Sequence, residues 1–281
     1  MFSKFKHLLN SATRLLLLLL ISVSAPVLAA DPVAERWIEL KPSFFADREI
    51  FADGVITLEA PKRAHDSAIV PVVIHAKDDA RKIKSVHLIV DKNPLPLAGV
   101  FKFSDKKRSA WQSLETRIRI NEYTHVRAIA ELDDGSLHMT TKFVKASGGC
   151  SAPAMADLDA ALANAGKMRI LLDDISNTDQ VAAFLPPAER ATSEATIKIS
   201  HPNNSGMQFD QISRNYIPAF FVHSIVAELD GEEILNVETN FSMSENPVVR
   251  FQFANPSTAD KLKVYAVDSK DNRYEQSLTQ Q

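Results

Sequence analysis

The chain has one cysteine, Cys150, among 281 residues. A disulfide within the chain is therefore excluded. Paired-cysteine metal motifs are excluded with it. There is no Gly-rich phosphate loop, no HExxH and no EF-hand pattern. The histidines after residue 30 are His65, His75, His87, His125, His138, His201 and His223. None are spaced as local metal ligands, so no metal site and no cofactor are expected. After residue 30 no apolar run approaches the roughly 20 residues that a spanning helix needs. Glycine is scarce too, at eight residues. Two of those eight, Gly148 and Gly149, directly precede the lone thiol.

What is present begins with residues 1–30. "MFSKFKHLLNSATR" carries Lys4, Lys6 and Arg14 without an acid, and "LLLLLLISVSAPVLAA" follows it. This is the layout of a cleavable secretory signal, with the cut expected after Ala29 or Ala30. The apolar run Leu15 to Ile21 is too short to span a bilayer. No cysteine lies near the cut, which excludes a lipid anchor there. Cleavage removes three of 32 Lys+Arg and none of 35 Asp+Glu, leaving 29 − 35 = −6. That sign argues against nucleic acid as a partner.

Beyond the leader, "AERWIELKPSFFADREIF" predicts one or two helical turns broken at Pro42, forming a lid. Short Val- and Ile-rich runs follow: "GVITLEA", "IVPVVIHA", "IKSVHLIVDKN", "AGVFKFS", "ETRIRI", "HVRAIAEL" and "SLHMTTKFV". In "ETRIRI", Thr116, Ile118 and Ile120 alternate against Arg117 and Arg119. "DDG" between the last two runs is a hairpin signal. "SAPAMADLDAALANAG" reads as a helix linking two halves, ended by Gly166. A second set of alternating runs follows, with Asp230-Gly231 at a turn and a Pro-rich loop through "FLPPAER". The spacing predicts an all-β chain of two antiparallel sandwiches. Asn93-Pro94 and Asn246-Pro247 each precede a Phe-rich strand, a weak hint that the halves are related. The predicted division is 1–30 signal, 31–150 first sandwich, 151–167 linker helix and 168–281 second sandwich.

The thiol sits in "KASGGCSAP". Its neighbours Ser147, Gly148, Gly149, Ser151, Ala152 and Pro153 offer little apolar surface, so Cys150 is expected to be exposed. Two adjacent glycines predict a flexible arm. Catalysis wants a nucleophile held still, and this segment reads as mobile. A mobile nucleophile suits a covalent carrier. Lys145, the nearest cation in sequence, would favour the thiolate, as would the start of the following helix.

"VKASGGCSAP" resembles the sulfur-carrying arm of SoxY, a subunit of the SoxYZ carrier of periplasmic thiosulfate oxidation. "VDKNPLPLAGVFKF" and "LETRIRINEYTHVRAIAELDDGSLH" resemble SoxY in order. From about Thr196, "ISHPNNSGMQFDQ", "YIPAFFVHSIVAELDGEEIL" and "SMSENPVVRFQF" resemble SoxZ. SoxY before SoxZ in one chain is similar to fused SoxYZ-like carriers associated with quinoprotein dehydrogenases. The resemblance implies immunoglobulin-like sandwiches. It implies no enzyme activity of the chain itself, and a covalent sulfur adduct on Cys150. It also implies partners among periplasmic redox enzymes: a Sox-type cytochrome or hydrolase, or a quinoprotein dehydrogenase and its cytochrome. SoxY ends just after its cysteine, whereas this chain continues, so the arm is tied at both ends. A free tail of about five residues reaches roughly 17 Å at about 3.4 Å per residue, and a closed loop about half as far. Two other readings stand beside the carrier. One is a non-covalent adaptor or delivery protein for a quinoprotein alcohol dehydrogenase or its cytochrome, with the thiol incidental. The other is a thiol enzyme, which needs a histidine held near Cys150.

Overall fold

The computed structural model describes residues 32–77, 83–104, 111–153, 157–176, 191–254 and 261–279. The expected leader and the "FLPPAER" loop lie outside the described residues. The first half forms α1 (Pro32–Phe45), β1 (Ile50–Phe51), β2 (Ile56–Glu59), β3 (Val70–Ala76), β4 (Ile83–Val90), β5 (Leu97–Phe103), β6 (Ser113–Ile118), β7 (Thr124–Leu132) and β8 (Leu137–Val144). The second forms α2 (Leu158–Ala163), β9 (Met168–Ser176), β10 (Ala191–Ile199), β11 (Phe209–Asp210), β12 (Asn215–Tyr216), β13 (Val222–Leu229), β14 (Glu232–Thr239), β15 (Val248–Ala254), β16 (Lys261–Asp268) and β17 (Arg273–Thr279).

The strands follow the alternation in the sequence. In β16 every second residue is buried, Leu262, Val264 and Ala266 facing inward. Central strands such as β4 and β7 are buried almost throughout. The "DDG" hairpin forms between β7 and β8, with Gly135 at φ +81°. At the turn between β13 and β14, Asp230 and Gly231 both take positive φ, which suits a tight hairpin.

The all-β architecture is as expected, and the halves are joined through their sheets as well as through the chain. The described strands form a nine-stranded sheet ordered β1-β8-β7-β4-β5-β14-β13-β16-β17, a six-stranded sheet ordered β2-β3-β6-β15-β10-β9 and a two-stranded ribbon β11-β12. In the two large sheets the order passes from one half to the other. β5 pairs antiparallel with β14, from Gly99↔Thr239 to Phe103↔Leu235. β6 pairs antiparallel with β15, from Ser113↔Gln252 to Thr116↔Val249. Strands that would have been open edges in isolated sandwiches are instead paired with one another. Thr239 Oγ1 donates to Ala98 O at 3.1 Å and Thr116 Oγ1 to Val248 O at 2.7 Å, adding side-chain bonds at both seams. One buried apolar cluster runs through both halves, from Leu58 and Phe101 to Phe251 and Leu262.

Two further details depart from expectation. α1 runs 14 residues and passes through Pro42 instead of breaking there. Its last turn closes with Ala46 N–H on Pro42 O at 3.1 Å. Phe45 on this helix packs with Ile89, Ile129 and Leu137, covering the outer face of the nine-stranded sheet as a lid would. α2 is shorter than the expected 151–167, spanning only Leu158–Ala163. Asp157 sets its start, its carboxylate accepting from the N–H groups of Asp159 and Ala160. With six residues it is too short to act as a strong dipole.

Candidate functional site

The segment carrying Cys150 leaves β8 at Val144. Its root is pinned to residues 62–64: Lys145 N–H donates to Lys62 O at 2.9 Å, and Ala64 N–H donates to Lys145 O at 3.2 Å. The chain then crosses the end of β6. Gly148 N–H donates to Asn121 O at 2.8 Å and Gly149 N–H to Ile120 O at 2.9 Å. Ser151 N–H turns back to Gly148 O at 3.2 Å. The second half covers this turn through the loop 201–208, whose Ser205 Oγ lies within hydrogen-bond reach of Cys150 O and Gln208 Oε1.

Cys150 is fully buried, against the expectation of an exposed thiol. The turn that carries it docks on the end of β6 and is bonded by the loop 201–208. The glycines serve this docking. Gly148 takes φ +79°, a left-handed conformation with open space around it. Gly149 lies so close to its neighbours that a Cβ would sit 2.0 Å from Ser67 O and 2.7 Å from Ile120 O. In this conformation the pair permits close approach and a sharp turn.

The cation near the thiol also differs from expectation. Lys145 contributes backbone bonds to the root of the arm and its side chain is exposed. The charge acting on the thiol is that of Arg119. This guanidinium is 1 % exposed. Its Nη1 donates to Gly149 O at 3.1 Å and its Nη2 to Asn203 O at 3.5 Å, so it bridges the arm and the covering loop. Alternation along "ETRIRI" put Arg119 with Arg117 on the polar face. β6 ends at Ile118, however, and the chain turns there. A basic residue flanked by Ile118 and Ile120, both buried, was the only trace in the sequence.

The Asn-Pro pairs position the two loops that hold the arm. Asn93 Nδ2 donates to Arg119 O at 2.8 Å and to Ser242 Oγ at 3.2 Å, while its Oδ1 accepts from Asn121 N–H at 2.9 Å. Asn246 Oδ1 accepts from His201 N–H at 3.1 Å, and its own N–H donates to His201 O at 2.8 Å. Each asparagine thus fixes the backbone of one wall of the seat.

Burial pushes the Cys150 thiol up to about 11, with the Arg119 charge pulling the other way. At neutral pH the docked group is a thiol, with a thiolate fraction of about one in ten thousand at pH 7. Among the described residues no histidine shifts it. His201, in the covering loop, is pushed down to about 4 by burial and lies 3.7 Å from Asp268. Among the described residues no group of three His, Cys, Asp or Glu could hold a metal ion. Among them, too, no helix is long and apolar enough to cross a membrane.

Comparison with known families matches residues 41–150 to sulfur oxidation protein SoxY and residues 186–279 to sulphur oxidation protein SoxZ. The chain is a SoxY domain followed by a SoxZ domain. The SoxY match ends on Cys150 itself. SoxY and SoxZ are non-catalytic carrier families, and SoxYZ carriers interact with Sox enzymes. Their domains imply a carrier role in sulfur oxidation, and Sox proteins are typically periplasmic. No curated protein matches the chain. Among solved structures, the sulfur carrier SoxY from Chlorobium limicola f thiosulfatophilum is similar at 18% identity, covering 41% of this chain and 94% of its own, with TM-score 0.34. A superoxide reductase (neelaredoxin) from Ignicoccus hospitalis is similar at 15% identity, covering 32% of this chain and 78% of its own, with TM-score 0.28.

Proposed function

We propose that this SoxY–SoxZ chain is a periplasmic carrier that bears a covalent sulfur adduct on Cys150 and presents it to partner redox enzymes. The observation that carries this reading is the attachment of the arm. Cys150 lies at the seam of the two halves on a loop, held there by a few backbone hydrogen bonds and by the Ser205 and Arg119 side chains, and not by a strand ladder. Such a segment can open locally without unfolding either sheet. Docked, the thiol is protonated and screened. Released, it regains the ordinary cysteine range near 8.5 and becomes a competent nucleophile.

Loading with thiosulfate joins the Cys150 sulfur to the sulfane sulfur of thiosulfate. It releases one proton from the thiol and two electrons to a partner cytochrome. The terminal sulfonate is then open to a partner hydrolase. The chain itself supplies position and protection. The division into a first sandwich through Cys150, a linker at 151–167 and a second sandwich from 168 belongs to this reading, as do export by the leader and service to a quinoprotein dehydrogenase system.

One observation favours a second reading. A thiol that is fully buried and protonated is also what an incidental cysteine would look like, with the sandwich surfaces acting as a non-covalent adaptor for the dehydrogenase or its cytochrome. The mass of Cys150 in protein isolated from its native compartment separates the two. The carrier predicts added sulfur and oxygen increments removable by reductant, and loss of function in Cys150→Ser. Unmodified thiol throughout, with a fully functional Cys150→Ser protein, establishes the adaptor instead.

A further inference from the structure

The seat beneath the arm is chemically unbalanced. Arg119 is a buried guanidinium whose hydrogen-bond partners are two backbone carbonyls, with no carboxylate bonded to it. Its Nε has no partner at all. Gln208, also 1 % exposed, anchors the covering loop through Oε1 and leaves its Nε2 without a partner. Asn204 in the same loop leaves Oδ1 unpaired. Glu245 and Asp66 act on the Arg119 charge electrostatically, yet Arg119 Nε and Gln208 Nε2 stay buried without acceptors, which costs free energy that a structure ordinarily avoids. Both uncompensated donors sit on the two walls that enclose the arm. A neutral thiol supplies neither an anion nor a strong acceptor.

We propose that this seat is an anion site for the loaded arm, in which Arg119, assisted by Gln208, takes the terminal oxyanion of a Cys150 adduct. The inference rests on the carrier reading for its ligand, a thiosulfonate or similar sulfur oxyanion linked through Cys150. The adduct adds a negative charge beside Arg119, and its oxygens accept from the orphaned N–H groups. The loaded arm therefore docks more firmly than an arm bearing a neutral group of similar size. The adduct is held away from solvent thiols between partners, and a partner enzyme must compete with Arg119 to extract it. The site also discriminates product from cargo: once the sulfonate is removed, the arm loses its anchor.

The test uses the full chain with two defined adducts. Tetrathionate at mildly alkaline pH gives the charged one: the Cys150 thiolate attacks a sulfane sulfur and displaces thiosulfate. Methyl methanethiosulfonate gives the neutral one, an S-methylthio group, with methanesulfinate leaving. Docking is read from amide hydrogen exchange of Gly148 and Gly149, whose N–H groups make the docking bonds. The charged adduct should slow exchange about ten-fold relative to the neutral one, the size of one charge-assisted hydrogen bond. Arg119→Gln should abolish that difference. Equal exchange, or faster exchange with the charged adduct, overturns the site. If Arg119→Gln does not fold, the two wild-type adducts still decide. Native protein that carries a sulfur adduct but shows equal exchange sinks the anion site alone. Native protein that never carries one sinks the carrier reading, and the exchange comparison then reports on the seat independently.

Discussion

At the scale of single residues, Gly148 and Gly149 do different work. At Gly149 a methyl group would collide with backbone at Ser67 and Ile120, which cannot move aside as a side-chain tip could. At Gly148 there is open space, and only the positive φ is costly, at about 1–2 kcal/mol. Gly149→Ala should therefore expel the arm, whereas Gly148→Ala should only loosen it. Reaction of Cys150 with an aromatic disulfide reagent reads this. The docked thiol has its pKa raised to about 11, so a neutral thiol favours docking and that preference is lost as pH rises through 11. Wild type should thus label slowly at pH 8 and keep accelerating towards pH 11. Gly149→Ala should label about a hundredfold faster at pH 8 and level off near the ordinary thiol range, around 9. Equal labelling of wild type and Gly149→Ala would mean that docking does not control the thiol. The sequence marked this pair as special but could not say why. Glycine serves slack and close approach alike, and only the neighbours decide between them.

At the scale of elements, strands and hairpins were largely legible, because alternation and Asp-Gly turns are local signals. The exceptions have tertiary causes. α1 tolerates Pro42 because its apolar face, through Phe45, is held by Ile89, Ile129 and Leu137 on the sheet beneath. Arg119 escaped the strand pattern because β6 stops one residue earlier. The Asn-Pro pairs were visible as turn starters, while their partners, Arg119 and Ser242 for one and His201 for the other, lie far along the chain. Asn93 is buried and makes three hydrogen bonds that unite β4's end, the end of β6 and the loop before β15. Asn93→Ala leaves Asn121 N–H, Arg119 O and Ser242 Oγ without that partner. It should cost about 2–3 kcal/mol of stability, measurable by urea unfolding. It should also loosen the arm, because Gly148 docks on Asn121, which Asn93 fixes, and Gly149 docks on Ile120, between the two backbone groups that Asn93 holds. A stable Asn93→Ala protein with unchanged Cys150 labelling would remove this asparagine from the account of the seat.

At the scale of the whole molecule, the two halves are one folding unit in which the seam is central. β5–β14 and β6–β15 are interior pairings of the two sheets, and the apolar cluster between the sheets continues across both. Separation would expose four strand edges together with the core beside them, including Phe101, Leu235, Leu114 and Phe251. Nothing in a strand's own alternation identifies the strand that will lie beside it, so this continuity was hidden from the sequence even though the individual strands were not. The consequence is cooperativity. Calorimetry of the chain should give one transition with matching calorimetric and van't Hoff enthalpies, not two separable melts. The halves made separately, ending before α2 and beginning at β9, should be prone to self-association through their open edges, and should recombine when mixed. Two independent melts would show that the seam is weak, and with it the seat of the arm, since Arg119 comes from one side and Ser205 and Gln208 from the other. A carrier whose cargo is held by both halves needs that seam to persist while only the loop at Cys150 opens, so the opening of the arm should proceed at free energies well below that of global unfolding.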